Sequence, residues 1–370
     1  MTGILSRLAA WTAGAALLGA CHDGRPSPVA PSVEDPDPPR GWTPAPGPAG
    51  LWIDYANLAQ RPTAGPAWDA LQAAARGACG VPDLADQDDG ANVCVLAKAL
   101  VSARIGSQSL RDEVAEALRA VAGTSYRGRA LALGRELAAY VIAADLVQLS
   151  HLDPALDAQF RSAIRNLLTA PTLDGPTSLV DCHETRPNNW GTHCGASRAA
   201  VAAYLGDTGE LSRVAAVFRG YLGDRASYAG FVFGRDLSWQ CDPSQPVGLN
   251  PRGCSKQGRP LGGVLPDDQR RAGSFRWPPP RENYVYEALQ GMLVQAAILQ
   301  RAGYPDVFTW EESAPLRAFE WLQSQAAYPP RGDDEWAVHL VNAFYGTHYP
   351  APVPAMPGKN MGWTDYTHAR

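Results

Sequence analysis

The residues best suited to chemistry lie in one short stretch, Asn188-Asn189-Trp190-Gly191-Thr192-His193. Amide side chains donate hydrogen bonds to a carboxylate or an enolate-like anion, and a neutral imidazole accepts a proton near pH 7. Because the stretch contains no carboxylate, it suits proton abstraction next to a carbonyl better than the activation of water. The same residues also suit a helix N-terminus, since Asn is a favourable N-cap.

Helical periodicity dominates the elements that must position these residues, and strand-like alternation is scarce. The apolar pattern predicts nine helices, over residues 67–78, 93–105, 110–122, 129–149, 154–168, 195–205, 211–222, 283–302 and 314–325. Short connections favour antiparallel helical hairpins, which either stack as a solenoid or close into a toroid. The absence of a fixed sequence period argues against a regular solenoid. We therefore predict an all-α fold in a single domain.

The N-terminal residues predict export and a flexible tether. Residues 1–21 have a basic start, an apolar run too short to span a membrane, and a Leu18-Gly19-Ala20-Cys21 ending that resembles a bacterial lipobox. A plain secretory signal is the alternative. Residues 22–50 are rich in Pro and predict a disordered linker, so the folded domain should comprise residues 51–370. We expect an exported lipoprotein, anchored to the outer membrane or facing the periplasm, whose only membrane contact is the lipid.

The other six cysteines fall into three close pairs, Cys79 with Cys94, Cys182 with Cys194 and Cys241 with Cys254. Export to an oxidising compartment favours disulfides, although sequence alone leaves the connectivity open among fifteen possible sets. Pairing of nearest neighbours needs only short loops. A bridge from Cys182 to Cys194 would clamp the Asn188 to His193 loop on both sides.

A long irregular region over residues 231–281 is rich in Gly and Pro, and long ordered loops are usually functional. Residues 252–281 carry seven basic and two acidic side chains, although the whole chain has a net charge of -5. A basic patch on an acidic protein suggests an anionic ligand. The acidic balance and the lack of recognition motifs argue against nucleic acid, so an anionic polysaccharide is the expected partner.

Two motifs resemble the alginate-lyase superfamily of polysaccharide lyases. They are the hexapeptide from Asn188 to His193 and the downstream run Arg281-Glu282-Asn283-Tyr284-Val285-Tyr286-Glu287-Ala288-Leu289. Residues 52–71, 96–103 and 135–149 resemble the family's opening segment, early helix and long helix. The resemblance implies an incomplete (α/α) toroid of antiparallel helical hairpins with the sugar chain in a central groove.

The resemblance also implies a reaction, β-elimination of a uronic-acid polysaccharide of the alginate or glucuronan type, without a metal or an organic cofactor. Asn188 and Asn189 match the family's paired Asn and would neutralise the substrate carboxylate. The commonest family pattern has His directly after this pair, whereas this chain has Trp190 there and His193 three residues later. His193 is then the candidate base.

Tyr284 stands before Ala288-Leu289 as the family's catalytic Tyr does, so we prefer it to Tyr286 as proton donor. The two tyrosines should face differently on a helix. Candidate substrate-binding residues are three arginines, which suit bidentate carboxylate binding, and two tryptophans, which suit stacking on sugar rings: Arg281, Arg271, Arg270, Trp190 and Trp239. We expect a monomer.

Two other functions remain open. A glycoside hydrolase needs two carboxylates flanking the bond, and the available acids are Asp267, Asp268, Glu282 and Glu287. A non-catalytic glycan-binding lipoprotein is the third possibility. The polar and aromatic residues 357–368 could either fold back to line the groove or form a mobile tail. The acidic run of residues 86–89 is interpreted as solvated surface.

Overall fold

The structure, a computed structural model, describes residues 42–44 and 50–369. The predicted signal peptide and nearly all of the predicted linker lie outside these residues. The described residues belong to one compact unit. None of their helices combines the length and the apolar character needed to cross a membrane.

The all-α prediction is confirmed, since the described residues form fifteen α-helices and a single pair of two-residue strands. The helices are α1 Tyr55–Gln60, α2 Pro66–Arg76, α3 Ala91–Ile105, α4 Gln108–Ala122, α5 Ala130–Leu146, α6 Leu149–Leu152, α7 Pro154–Leu167, α8 Leu179–Thr185, α9 Asn189–Leu205, α10 Thr208–Leu222, α11 Pro266–Gln269, α12 Tyr284–Arg301, α13 Trp310–Ser324, α14 Trp336–Tyr345 and α15 Thr364–Thr367. The antiparallel strands are β1 Ser255–Lys256 and β2 Arg259–Pro260.

The helices divide into a buried set and an amphipathic set. Helices α3, α5, α9 and α12 are apolar on nearly all sides and are buried along most of their length. Helices α4, α7 and α10 each bury one apolar stripe. A helix that is apolar all round must be enclosed by other elements, so the amphipathic helices form an outer layer around the buried ones.

Three of the buried helices run parallel. The Cys194 Sγ of α9 lies 3.4 Å from the Ala130 carbonyl oxygen of α5, and one turn later the Ser197 hydroxyl donates to Gly134 at 2.8 Å. Along α9 and α12, His193 lies beside Glu287, and further on Gly195 packs against Gln295. Since the contacts advance in the same direction on each pair, the N-termini of α5, α9 and α12 share one end of the molecule.

Glycine allows α9 and α12 to approach closely. A Cβ atom at Gly291 of α12 would lie only 2.6 Å from the backbone nitrogen of His193, which is too close for any other residue without movement of the backbone. This contact fixes the depth at which the His193 turn sits against α12.

All three disulfides join nearest neighbours: Cys79–Cys94, Cys182–Cys194 and Cys241–Cys254. The nearest-neighbour connectivity is therefore confirmed, and the bridges agree with export to an oxidising compartment. The expected loop between Cys182 and Cys194 is wrong in one respect, because α9 begins at Asn189 rather than near residue 195. The bridge instead ties α8 to the second turn of α9.

Residues 42–44 belong to the folded body, which corrects the predicted linker boundary. The Arg111 guanidinium lies over the Trp42 ring at 4.0 Å, and a Cβ at Gly106 would come within 2.4 Å of the Trp42 carbonyl oxygen. Gly106 ends α3 with a φ of 73°, a conformation that glycine adopts readily. The segment therefore packs against the α3–α4 connection.

The C-terminal residues 357–368 also fold back onto the body, so they do not form a mobile tail. The Trp363 indole donates to the Val93 carbonyl of α3 at 2.9 Å, and the Thr364 hydroxyl donates to Trp336 of α14. Asn92 of α3 donates to the Lys359 carbonyl at 2.8 Å. These contacts link α14 to α3 through the C-terminal segment.

Candidate active site

The shared N-terminal end of α5, α9 and α12 holds the candidate site. Asn188 is the N-cap of α9, so its side-chain oxygen accepts from the Trp190 backbone at 3.2 Å. Its amide nitrogen donates to Asp267 at 2.9 Å. The Asn188 amide thus has one partner at each end within the protein, which favours a structural role over its assignment as a carboxylate-neutralising group.

Asn189 differs from its neighbour. Its backbone N–H donates to Asp268 at 3.0 Å, but neither the oxygen nor the nitrogen of its side-chain amide has a hydrogen-bond partner. The side chain is 0% exposed. Because a buried amide without partners costs about 1–3 kcal/mol, Asn189 keeps a hydrogen-bonding capacity that no described residue satisfies.

His193 lies one turn after Asn189 on the same face of α9. The imidazole is 0% exposed, and neither ring nitrogen has a hydrogen-bond partner. Its Nε2 lies 3.5 Å from Glu287 Oε2, which is longer than an ordinary hydrogen bond. Burial lowers the pKa of His193 below its usual value, and the Glu287 carboxylate opposes this only in part. The imidazole is therefore neutral at pH 7.

Glu287 is held as a carboxylate beneath His193. Arg135 of α5 donates to its Oε2, and both side chains are almost completely buried. Burial would raise the pKa of Glu287, but His193 and Arg135, with a smaller contribution from Lys359, lower it to about 2. The Glu287 charge consequently persists at every pH at which the protein would work.

Lys359 brings the C-terminal segment to this end of the molecule. Its ammonium group pairs with Asp88 at 2.6 Å, and the neighbouring Asn360 is 2% exposed with an unpartnered side-chain oxygen. The contact with Asp88 places one member of the acidic run 86–89 in a surface ion pair. No group of three or more His, Cys, Asp or Glu side chains suited to a metal ion occurs among residues 42–44 and 50–369.

Tyr284 opens α12 and is 36% exposed. The Arg271 guanidinium lies over its ring at 3.8 Å. Tyr284 precedes Glu287 by three residues, so the two side chains share a face of α12. Tyr284 is therefore the solvent-accessible member of the set that contains His193 and Glu287.

Tyr286 lies on another face, in the protein core, and we withdraw it from the candidate site. It is 1% exposed, and its hydroxyl donates to the Tyr328 carbonyl at 2.5 Å while accepting from Gln323 at 3.2 Å. Burial raises the pKa of Tyr286 well above its usual value. Tyr284 and Tyr286 thus face in different directions on α12, as expected from the sequence.

Two of the predicted substrate-binding residues have structural partners instead. Arg270 forms a bidentate ion pair with Asp267, with distances of 2.6 and 3.1 Å. Trp239 is 0% exposed, and its indole donates to the Gly273 carbonyl at 2.9 Å. Trp239 is therefore not free to contact a sugar, which corrects that assignment, whereas Arg270 is held by Asp267 with part of its side chain exposed.

The other predicted binding residues are closer to solvent. Arg281 is exposed and lies over the Tyr328 ring at 5.8 Å. Trp190 is half-buried between Arg129 and Arg186, whose guanidinium groups lie 5.0 and 5.5 Å from its ring. With Arg271 beside Tyr284, these residues retain groups that a ligand can reach.

The acids considered for hydrolysis differ in state. Asp267 accepts hydrogen bonds from Arg270, Asn188 and the Gly234 backbone. Asp268 is 0% exposed, accepts only from the Asn189 backbone, and leaves one oxygen unpartnered. Burial raises the pKa of Asp268 well above its usual value and so favours its protonated form.

Sequence reasoning missed Arg135 as part of the site. The available signal was the pair Arg135-Glu136 inside an otherwise apolar helix, where a charged residue must find a partner or lose its charge. Arg135 and Glu136 show one of these outcomes each. Arg135 pairs with Glu287, whereas Glu136 has no partner and its burial raises its pKa to about 10.

No protein-family model matches the chain, and no curated protein matches it either.

Proposed function

We propose that the protein is a polysaccharide lyase that cleaves a uronic-acid polysaccharide of the alginate or glucuronan type by β-elimination. The observation that carries the proposal is the pair of unpartnered side chains Asn189 and His193, one turn apart on a face that also meets Glu287. Its fold would be the (α/α) toroid, and the parallel buried helices with their outer layer support this proposal.

Charge favours an anionic ligand at this position. The N-termini of α5, α9 and α12 meet here, and a helix N-terminus carries a partial positive charge. Asn189 would donate its side-chain N–H to the uronate carboxylate at carbon 5. This interaction withdraws charge from the carboxylate and so stabilises the enolate-like intermediate that follows proton removal.

The proton steps fall to His193 and Tyr284. With the Nε2–H directed toward the Glu287 carboxylate, the Nδ1 lone pair of His193 is free to accept the proton of carbon 5. The electrons of that C–H bond form the double bond between carbons 4 and 5 as the C4–O bond breaks. The Tyr284 hydroxyl donates its proton to the departing glycosidic oxygen, which leaves as a sugar hydroxyl.

Catalysis requires local movement, because Asn189 and His193 are buried whereas Tyr284 is exposed. The sugar would first contact Tyr284 and Arg271 and then reach the amide and the imidazole. Modification of His193 by diethyl pyrocarbonate, followed by peptide mass spectrometry, measures this access. A uronate polymer should slow the modification, and equal rates with and without polymer would contradict the placement of the sugar.

The direct test is to incubate the purified protein with alginate, glucuronan and glycosaminoglycans and to follow the ultraviolet absorbance of the conjugated unsaturated uronate. Tyr284→Phe should abolish the signal, and Tyr286→Phe is the matched control that should retain it, because Tyr286 lies in the core. No absorbance with any of the substrates, or equal loss in both variants, would refute the proposal.

A glycoside hydrolase is the second candidate, favoured by the contrast between Asp268, which has one unpartnered oxygen and a raised pKa, and Glu287, which Arg135 holds as a carboxylate. Two carboxyl groups with separated pKa values are the usual equipment of a general acid and its partner carboxylate. Hydrolysis yields new reducing ends without an unsaturated product. Asp268→Asn should abolish hydrolysis but leave β-elimination intact, so this variant separates the two reactions. Binding without any product would indicate a glycan-binding protein.

The remaining assignments accompany the lyase proposal. The three disulfides support an exported protein. Lipid attachment at Cys21, a location at the outer membrane or in the periplasm, and a monomeric state complete the proposal. Mass spectrometry of the membrane fraction tests the lipid, and the expected result is a lipidated peptide that begins at Cys21.

A further inference from the structure

Four arginines within residues 252–281 have no carboxylate partner among the described residues: Arg259, Arg271, Arg276 and Arg281. All four are exposed. The other two arginines of this stretch differ, since Arg252 pairs with Glu312 at 2.6 Å and Arg270 pairs with Asp267. The net positive charge of this stretch is therefore concentrated on these four arginines and on Lys256, whose ammonium group donates to the Ser238 carbonyl oxygen at 2.6 Å.

Three of these four arginines lie over aromatic rings. Arg271 is 3.8 Å from the centre of the Tyr284 ring, Arg259 is 5.4 Å from Trp277, and Arg281 is 5.8 Å from Tyr328. A guanidinium group stacked on a ring is restrained while its N–H edges remain available for hydrogen bonds. Each pair thus presents a positioned donor for a carboxylate together with an apolar ring edge for a sugar.

The loop that carries these pairs is rigidly held. The Cys241–Cys254 bridge closes its middle part next to the β1–β2 hairpin. The buried Trp239 packs edge-on against Phe275 at 5.0 Å, and the Phe275 backbone donates to Ser238 at 2.7 Å. A surface fixed in this way loses little conformational freedom when a ligand binds.

We propose that Arg259, Trp277, Arg276 and Arg271 form a cation–aromatic surface that binds an anionic polysaccharide beyond the sugar held at Tyr284. The surface reaches the candidate active site through Arg271, which stacks on Tyr284, and it ends at the β1–β2 hairpin through Arg259. Its position relative to the cleaved bond rests on the proposed lyase function. The ligand class follows independently from the unpaired guanidinium groups and their aromatic partners.

The test measures equilibrium binding of alginate and of glucuronan to the full chain in the Asn189→Ala background, by affinity gel electrophoresis over a series of salt concentrations. Adding Arg259→Ala and Arg276→Ala should weaken binding about tenfold and reduce its salt dependence, because two charge-assisted contacts are lost. Adding Arg252→Ala is the matched control, since this arginine lies in the same loop but is paired with Glu312.

The outcomes separate this surface from the lyase proposal. Unchanged polymer binding in the double variant, or equal weakening by Arg252→Ala, overturns the surface. Stronger arginine-dependent binding to phosphatidylglycerol vesicles than to either polymer also overturns it, in favour of a lipid ligand. If no substrate yields an unsaturated product but the arginine-dependent binding persists, the lyase proposal fails and the surface stands.

Discussion

Asn188 and Asn189 are neighbours in the chain, yet their side chains have opposite environments. The Asn188 amide donates to Asp267 and accepts from Trp190, and Asp267 is itself paired with Arg270. The Asn189 amide makes no hydrogen bond, and the imidazole of His193 one turn later makes none either. We call Asn188 and Asp267 the structural side of this turn, because the protein itself supplies their hydrogen-bond partners. Asn189 and His193, with Glu287, form the reactive side, where the amide and the imidazole have no partner.

Two buried histidines show the same difference. His183 of α8 has Arg198 within 3.3 Å of one ring nitrogen and Gln295 within 3.3 Å of the other. His193 of α9 has only the distant Glu287 carboxylate. Burial lowers the pKa of both imidazoles, so protonation state does not distinguish them. The two ring nitrogens without a hydrogen-bond partner distinguish His193, and they agree with its proposed role as the base.

The largest expected effect separates the two asparagines. Asn189→Ala should lower the turnover number about 100- to 1,000-fold, as the loss of one anion-stabilising donor does, without lowering the melting temperature. Asn188→Ala should instead cost about 1–3 kcal/mol of stability, because it removes an N-cap and leaves Asp267 short of a donor. Kinetics and thermal unfolding of both variants provide the measurements. A stability loss in Asn189→Ala as large as that in Asn188→Ala would remove the distinction.

Glu287 should make the free energy of unfolding depend on pH in the acid range. Its pKa is lowered in the folded protein, so the ion pair with Arg135 contributes stability above the unfolded pKa of about 4.5, and this contribution is lost as the pH falls toward 2. Glu287→Gln should cost about 3 kcal/mol at pH 7 by leaving Arg135 buried without a counter-charge. Urea unfolding at pH 7 and pH 3 should show a difference between variant and wild type that shrinks with acid. A constant difference would contradict the ion pair.

Removing the Asp267 charge should lower the free energy of unfolding by a smaller amount. Asp267→Asn removes the charge that Arg270 binds, but Arg270 is partly exposed and water compensates for some of the loss. We expect a cost of about 2 kcal/mol, measured by urea unfolding at neutral pH. The activity of the folded fraction should change little. A hundredfold loss of turnover without destabilisation would place Asp267 on the reactive side instead.

The smallest expected change in stability concerns Asp268, which follows Asp267 in the chain and accepts a hydrogen bond from the Asn189 backbone. Burial raises its pKa in the folded protein, so it binds a proton that the unfolded chain releases, and stability falls as the pH rises above about 3.8. Asp268→Asn removes this penalty while its side-chain oxygen can still accept from the Asn189 backbone. The variant should be roughly 1 kcal/mol more stable at pH 7 and no more stable at pH 3. Equal stability of variant and wild type at pH 7 would show that Asp268 is not desolvated.

Local patterns predicted much of the fold. Each of the nine helices expected from apolar spacing corresponds to an observed helix, because helical periodicity is a property of neighbouring residues. The start of α9 was placed too late, since its first turns carry Asn189 and His193 rather than an apolar stripe. The short apolar helix α14 was missed as well, for its ten residues carry little periodic signal.

The site was less predictable because its contacts are long-range. The Arg135–Glu287 pair joins residues 152 positions apart, and neither residue alone indicates its partner. The hexapeptide identified Asn189 and His193, but nothing in the sequence distinguishes Asn189 from Asn188. That distinction arises from Asp267, which α11 brings to one side of the turn only.

The two ends of the described domain meet. Arg61 donates to the carbonyls of Thr367 and Ala369, both at 2.6 Å, and the Trp52 ring packs edge-on against His368 at 4.9 Å. This contact lies where α5 and α12 finish, because Leu51 binds Asp145 and Arg301 binds Asp54. Along α5 the distance from Asp145 back to Arg135 is about 15 Å, so both ends are remote from the reactive face.

The order of the helices along the chain can therefore be changed without changing their arrangement in space. A short peptide can join residue 369 to residue 50, at the cost of the contact between Trp42 and Arg111. New ends can be opened between Gly206 and Asp207, which are exposed at the end of α9 remote from His193. Such a circular permutant would retain the neighbours of Asn189, His193 and Glu287. Where the polypeptide starts is thus a free choice for the engineer, provided that the same helices remain in contact.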